Sequence, residues 1–285
     1  MVIDSFLFNN ELELLELRLK VLYDYVDKFV IVEGDHTFRG EPRKLICKNI
    51  LKEIGFDNDS KIELIEVKLE SYKDDPNEIE TVCRNLQTSK CSDNDIIIAS
   101  DIDEIPHPKD LHKCFDFVDN QPDYVLLNQA VNLQYKVNYA LSFNGTDVDC
   151  GVAGIITKGS FWKHHTLTHT RFLIQNGGHI SDFPFPLQIL SNIKLGWHLS
   201  WMGGPQKTLH KLQSHSWYLE PEEVREKIRS KETKERISKF DPKKDKRDIL
   251  GREGHTLIEF DYSELFKIID KIGNLSHIKK YLLNP

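Results

Sequence analysis

Continuous apolar runs alternate with stretches of helical periodicity through the first third of the chain, and that alternation confines it to an α/β sandwich. Val2-Ile-Asp-Ser-Phe6 reads as a short strand. Asn10 and Glu13 have the spacing of a helix capping box, and Leu12, Leu15, Leu19 and Leu22 then recur on one helical face. Leu14, Leu17 and Val21 widen that face, which predicts a well-buried helix. Lys28-Phe-Val-Ile-Val32 completes a strand–helix–strand unit, whose crossover favours parallel pairing. Strands over 62–67, 95–100 and 124–127, with helices over 78–90 and 108–118, extend the pattern. The expectation is a mostly parallel central sheet flanked by helices.

The texture changes after Asn128. Short β-like pieces at 133–139, 154–157 and 196–201 are separated by loops rich in Gly, His and aromatic residues, and 221–248 is dense in Lys, Arg and Glu. The last reads as a solvated helix and loop, or as a lid. The simplest organisation is a single domain over 1–285, with a regular half at 1–128 and an irregular C-terminal half at 129–285. A net charge of −7 argues against gripping nucleic-acid backbone. No apolar run approaches the ~20 residues of a membrane span, and Glu-rich sequence follows Phe8 at once. The chain therefore reads as soluble and cytoplasmic, with neither signal peptide nor anchor. Five cysteines without a CxxC pair read as reduced thiols.

Chemistry concentrates in Ile96-Ile-Ile-Ala-Ser-Asp101-Ile-Asp103-Glu104-Ile-Pro106. In extended chain, residues two apart share a side, so Asp101 and Asp103 present paired carboxylates where a buried strand ends. Ligands of open α/β sheets bind outside such strand ends. Paired carboxylates repel and demand a cation; hard oxygen donors suit Mn²⁺ or Mg²⁺, which would bridge a diphosphate and neutralise its charge on departure. A phosphatase of the haloacid-dehalogenase type also carries Asp-x-Asp after a buried strand. There, Gly- and Thr-containing sequence follows near the first strand; here Glu104-Ile-Pro106 follows and three strands come earlier.

Along most of its length the chain resembles the family-17 glycosyltransferases, which include N-acetylglucosaminyltransferase III. The pieces that carry the resemblance occur in family order: Phe8-Asn-Asn-Glu-Leu-Glu-Leu-Leu-Glu-Leu-Arg-Leu19, Asp27-Lys-Phe-Val-Ile-Val-Glu33, His36-Thr-Phe-Arg-Gly40, Arg84-Asn85, Ser100-Asp-Ile-Asp-Glu-Ile-Pro106 and Gly196-Trp-His-Leu-Ser-Trp201. The resemblance implies a GT-A-like fold and metal-dependent, inverting transfer from a UDP-sugar, typically UDP-N-acetylglucosamine, to a glycan acceptor. Residues 1–128 would form the nucleotide-sugar half and 129–285 the acceptor side. Asp101 and Asp103 match the family's Asp-x-Asp, which would bind metal and donor diphosphate.

Other positions admit two readings each. Glu33 ends a strand where it could accept from a ribose or uracil, or be a surface acid. His36 lines the nucleotide pocket or orders its turn. Arg84 reaches donor phosphate or lies on a helix surface, and Asn85 supports it or is inert. His198 is a third metal ligand or a core histidine. Lys211 neutralises departing phosphate or is solvated. Trp197, Trp201 and Trp217 stack on sugar or pack in the core. A general base is required for inversion; Glu104 and Asp182 are the candidates, with Glu104 preferred. Family members often carry an acid shortly after the histidine corresponding to His215, where Ser216-Trp-Tyr218 stands here. That departure is what supports a non-catalytic nucleotide-sugar- or glycan-binding relative as the competing reading.

Overall fold

The computed structural model describes residues 1–134, 139–143, 145, 147–176, 183–200, 202, 204–214, 226, 230–241, 244–245, 254–261 and 263–272. The regular half runs β1 (Val2–Leu7), α1 (Leu12–Leu22), β2 (Lys28–Gly34), α2 (Cys47–Glu53), β3 (Ile62–Val67), α3 (Pro76–Gln87), β4 (Ile96–Asp101), β5 (Glu104–Ile105), α4 (Leu111–Asn120) and β6 (Val125–Gln134). There follow β7 (Tyr139–Phe143), β8 (Asp147–Val148), β9 (Cys150–Lys158), α5 (Leu167–Asn176), β10 (Leu187–Gln188), β11 (Gly196–Ser200), α6 (Gly204–Ser214), α7 (Lys231–Ser238), β12 (His255–Glu259) and α8 (Ser263–Ile272).

The strands form one sheet in the order β12-β7-β6-β9-β4-β1-β2-β3, with β10 and β11 against β6, β5 against β11 and β8 against β7. Its alternate residues feed two cores, as the period of two requires. From β4, Ile96 and Ile98 face the cluster containing α1 and α4, while Ile97 and Ala99 face Phe161, Leu167 and Phe185.

The sheet is mixed, which corrects the expectation of mostly parallel pairing. Strands β3, β2, β1 and β4 are parallel neighbours. Strand β9 then runs antiparallel between β4 and β6, and β7 and β12 continue antiparallel. The cause is the connection: among the described residues no helix stands between β6 and β7, β8 or β9, so the chain folds back on itself instead of crossing over.

Two helix starts also differ from expectation. Helix α1 begins one residue after Glu11, which makes no side-chain cap bond, and Asn10 takes φ 72°, a left-handed conformation incompatible with an N-cap. Helix α3 begins at Pro76, where Asp75 accepts from the Asn77 and Glu78 N–H groups at 2.9 and 3.2 Å. Helix α6 is held by a satellite core of Leu212 with Tyr139, Leu141, Ile237, Phe240 and Leu257. Among the described residues no helix is long and apolar enough to cross a membrane.

Candidate active site

Strand order places a switch point between β1 and β4, because the chain moves outward from β1 to β2 and β3 on one side and to β4 on the other. Leu7 and Asp101 lie opposite each other at its carboxyl edge. Beyond β4 the chain turns at Ile102-Asp103 and does not stay extended. It is that turn, not strand alternation, that gathers the carboxylates.

The turn is clamped by Arg18, which is fully buried on α1. Its guanidinium grips Asp4 of β1 bidentately, at 2.8 and 2.7 Å, and donates to Ser100 Oγ at 2.6 Å. From Nη1 it reaches the carbonyls of Asp101 at 2.7 Å and Glu104 at 3.0 Å. One buried cation thus satisfies an anion and the inner carbonyls of the turn together. Glu104 closes the other side, accepting the Asp101 N–H at 2.8 Å.

Two arginines converge on the Asp101 carboxylate: Arg84 of α3 at 2.8 Å and Arg171 of α5 at 3.2 Å. Burial works against the charge on Asp101, but Arg171 and Arg84 hold the carboxyl far below its ordinary value. Arg84 is fixed in turn by Glu80 at 2.7 Å, and Arg171 by Glu104 at 3.2 and 3.3 Å.

Asp103 meets a different set of groups. Lys211 of α6 donates to its Oδ2, and His198 Nε2 lies 3.9 Å from the same oxygen. Burial opposes the Asp103 charge; Lys211 and then His198 overcome it and hold the carboxyl below its usual range. The Asn132 amide donates to Asp149 at 2.8 Å, so its carbonyl oxygen faces His198 Nδ1, also at 2.8 Å. The Asn132 carbonyl oxygen takes the Nδ1 side of the ring, which leaves Nε2 as the ring atom turned toward Asp103. Among the described residues, however, no group of three or more His, Cys, Asp or Glu side chains is placed to hold a metal ion.

Beside Lys211 opens a cavity of about 250 Å³, walled by Asn9, Asn10, Glu11, Leu14, Leu199, Met202, Gln206, Lys207, His210 and Lys211. On the Asp101 side a second cavity of about 270 Å³ is lined by Val152, Gly154, Ile155, Arg171 and Ile174.

Of the residues singled out from sequence, Asp101, Asp103, Glu104, Arg84, His198 and Lys211 come together here. Glu33 does not: fully buried, it accepts from Arg43 and the Ile46 N–H at 2.9 Å each and the Cys47 N–H at 3.0 Å, and so anchors the start of α2. His36 is held between Asp35 at 2.8 Å and Glu70 at 3.1 Å. Asn85 accepts from Thr168 at 3.3 Å, joining α3 to α5. Trp197 packs in the core against His107, ring centroids 4.9 Å apart. Asp182, Trp201, His215, Ser216, Trp217 and Tyr218 lie outside the described residues. Sequence reasoning missed Arg18, Asp4 and Arg171. The signal for the first two was present: one acid and one arginine inside elements that are otherwise fit for burial.

A family model described as glycosyltransferase family 17 matches residues 1–194. The chain belongs to glycosyltransferase family 17. That match takes in Arg18, Arg84, Asp101, Asp103, Glu104 and Arg171 and stops short of His198 and Lys211. Membership implies a sugar donor and an acceptor, and the phosphatase alternative loses its support. No curated protein matches the sequence. Among solved structures, a crystal structure of 4-diphosphocytidyl-2C-methyl-D-erythritol synthase is similar over 68% of this chain and 92% of that chain, with 12% identity and a TM-score of 0.38, a likeness too loose to carry an argument.

Proposed function

We propose that the chain transfers N-acetylglucosamine from a UDP-sugar to a glycan hydroxyl with inversion, on a GT-A-like fold. The observation that carries this reading is the convergence of Asp103, His198 and Lys211, from a turn, a strand and a helix remote in sequence, beside the Asp101 end of β4. The donor set suits Mn²⁺ or Mg²⁺ in its chemistry: an imidazole nitrogen and a carboxylate oxygen face each other at 3.9 Å. Asp103 and His198 would hold the ion, and Asp101 of the same turn would join them on giving up its contacts with Arg84 and Arg171. When bound, it would supply positive charge to the departing diphosphate.

The chain's own residues do the rest. Lys211 presents an ammonium at the cavity edge, where it can offset phosphate charge, and the Asp103 contact keeps it protonated: burial draws its pKa down, but Asp103 and Glu11 push it above the usual range. Arg84 and Arg171 fix the rotation of Asp101. Glu104 has both carboxylate oxygens engaged by Arg171, so it positions the turn and is poorly placed to take a proton from an acceptor.

Incubation with UDP-sugars and Mn²⁺, followed by measurement of UDP release, tests the reading. Release is expected, and Asp103→Ala should abolish both release and metal-dependent donor binding. Undiminished release in that variant would remove Asp103 from the mechanism. Donor binding without release in the unaltered protein would favour the non-catalytic relative.

A further inference from the structure

The carboxylates around the site are nearly all committed. Asp101 is bridged by two arginines, Asp103 is paired with Lys211, Glu104 with Arg171, Glu80 with Arg84, and Glu13 with Lys207. Glu11 differs. It follows β1 at the switch point, lines the cavity beside Lys211, and its hydrogen bond among the described residues is from the Asn9 N–H at 2.8 Å. No cation lies within ion-pair distance of it among those residues. The left-handed Asn10 turns the chain there and carries Glu11 onto the cavity wall.

We infer that Glu11 is the general base of transfer and that the cavity it lines takes the acceptor sugar. This rests on the transferase reading above. The cavity, about 250 Å³, falls below the ~300–1,000 Å³ of pockets for larger ligands, which suits one sugar ring and not a whole nucleotide sugar. Leu14, Leu199 and Met202 give it an apolar wall for a ring face, and Asn9, Gln206 and His210 give it polar groups for hydroxyls. In the step, the Glu11 carboxylate takes the proton of the acceptor hydroxyl. The oxygen's electron pair forms the bond to the anomeric carbon. The bond from that carbon to the phosphate oxygen breaks, and its pair leaves with the nucleoside diphosphate.

The electrostatic surroundings suit a base working near neutrality. Burial pushes the Glu11 carboxyl up to about 7, with Lys211 and Arg43 pulling it down and Asp103 pushing it further up. Lys207 and His210 face the same cavity from α6. A base must be ionised, so activity rises as the pH passes upward through about 7 and levels off above it.

The test uses UDP release from a panel of UDP-sugars with Mn²⁺, water serving as acceptor, in the full chain and its variants. Glu11→Gln is expected to lower kcat by about 10²–10⁴-fold with the donor KM unchanged, and to lose the acidic limb of kcat/KM. Azide, a nucleophile that needs no deprotonation, should raise turnover of Glu11→Ala and form the glycosyl azide, while leaving Asp103→Ala inactive. Wild-type turnover in Glu11→Gln, an intact acidic limb there, its loss in Asp182→Asn instead, or failure of azide to rescue overturns the assignment of Glu11 alone. Absence of UDP release from the unaltered protein with every donor overturns the transferase reading, and the base with it.

Discussion

A guanidinium that no solvent reaches decides the shape of the Asp-x-Asp turn. Arg18 and Asp4 form a fully buried ion pair whose spare donors hold the turn carbonyls, so stability and site geometry are joined in one side chain. Removing one member of a buried pair typically costs about 3–5 kcal/mol, whereas replacing both with apolar groups is often neutral. Arg18→Met is therefore expected to lose about 3–5 kcal/mol in urea unfolding. Asp4→Leu/Arg18→Met should recover most of that loss without recovering UDP release, because the carbonyls of Asp101 and Glu104 still lack their donor. Recovery of both properties would reduce Arg18 to a packing residue. The pair was legible in part. Arg18 stands among leucines in the first helix, but nothing in its spacing says that its partner lies on β1 and its purpose beyond β4.

At the scale of elements, strand β11 carries His198 and is pressed against β5 so closely that only a glycine fits. A Cβ on Gly196 would lie 2.4 Å from the Ile105 carbonyl oxygen and 2.9 Å from Pro106 Cα, both backbone atoms that cannot swing aside. Gly196→Ala should therefore cost about 1–3 kcal/mol by overpacking. It should also shift His198 from Asp103, because His198 pairs with Glu104 on the same two-stranded ladder. The check is donor affinity with and without Mn²⁺ alongside the urea midpoint; a stability loss with unchanged metal dependence would separate β11 from the site. This close approach explains an uneven legibility. The parallel half was readable because β2 and β4 carry continuous apolar runs, and β1, though interrupted by Asp4 and Ser5, leads straight into a leucine-rich helix. Strands β6 and β9 mix Asn, Gln and Gly into their alternation, so their antiparallel return was hidden. Helix α2 spans only Cys47–Glu53, too short for a periodicity to register. Arg171 belongs to the less regular half, and only the packing of α5 against α3 brings it to Asp101.

The whole molecule meets pH through two opposed groups of carboxylates. Asp101, Asp103 and Asp95 are held below their ordinary value despite burial, by Arg171 and Arg84, by Lys211, and by the Ser92 N–H with the terminal ammonium. Each stabilises the fold above the unfolded value of about 3.9 and loses that contribution as the pH falls through its folded value. Glu11 and Glu33 lie above their ordinary value through burial. Such a group favours the fold below its unfolded value of about 4.3, and that contribution is lost as the pH rises through the folded value, about 7 for Glu11. Wild-type stability should thus fall steeply below about pH 4, while the rise toward neutrality is blunted. Glu11→Gln carries no ionisable group, so it should gain on the wild type progressively from about pH 4.3 to 7 and hold a constant lead above. Urea midpoints for both proteins across that range measure the lead directly. A lead independent of pH would mean that the carboxyl ionises as freely in the fold as outside it. A lead that grows as described would mean that the fold bears a cost at neutral pH to keep at the cavity wall a carboxylate that has no ion-pair partner among the described residues, as a base needs to be.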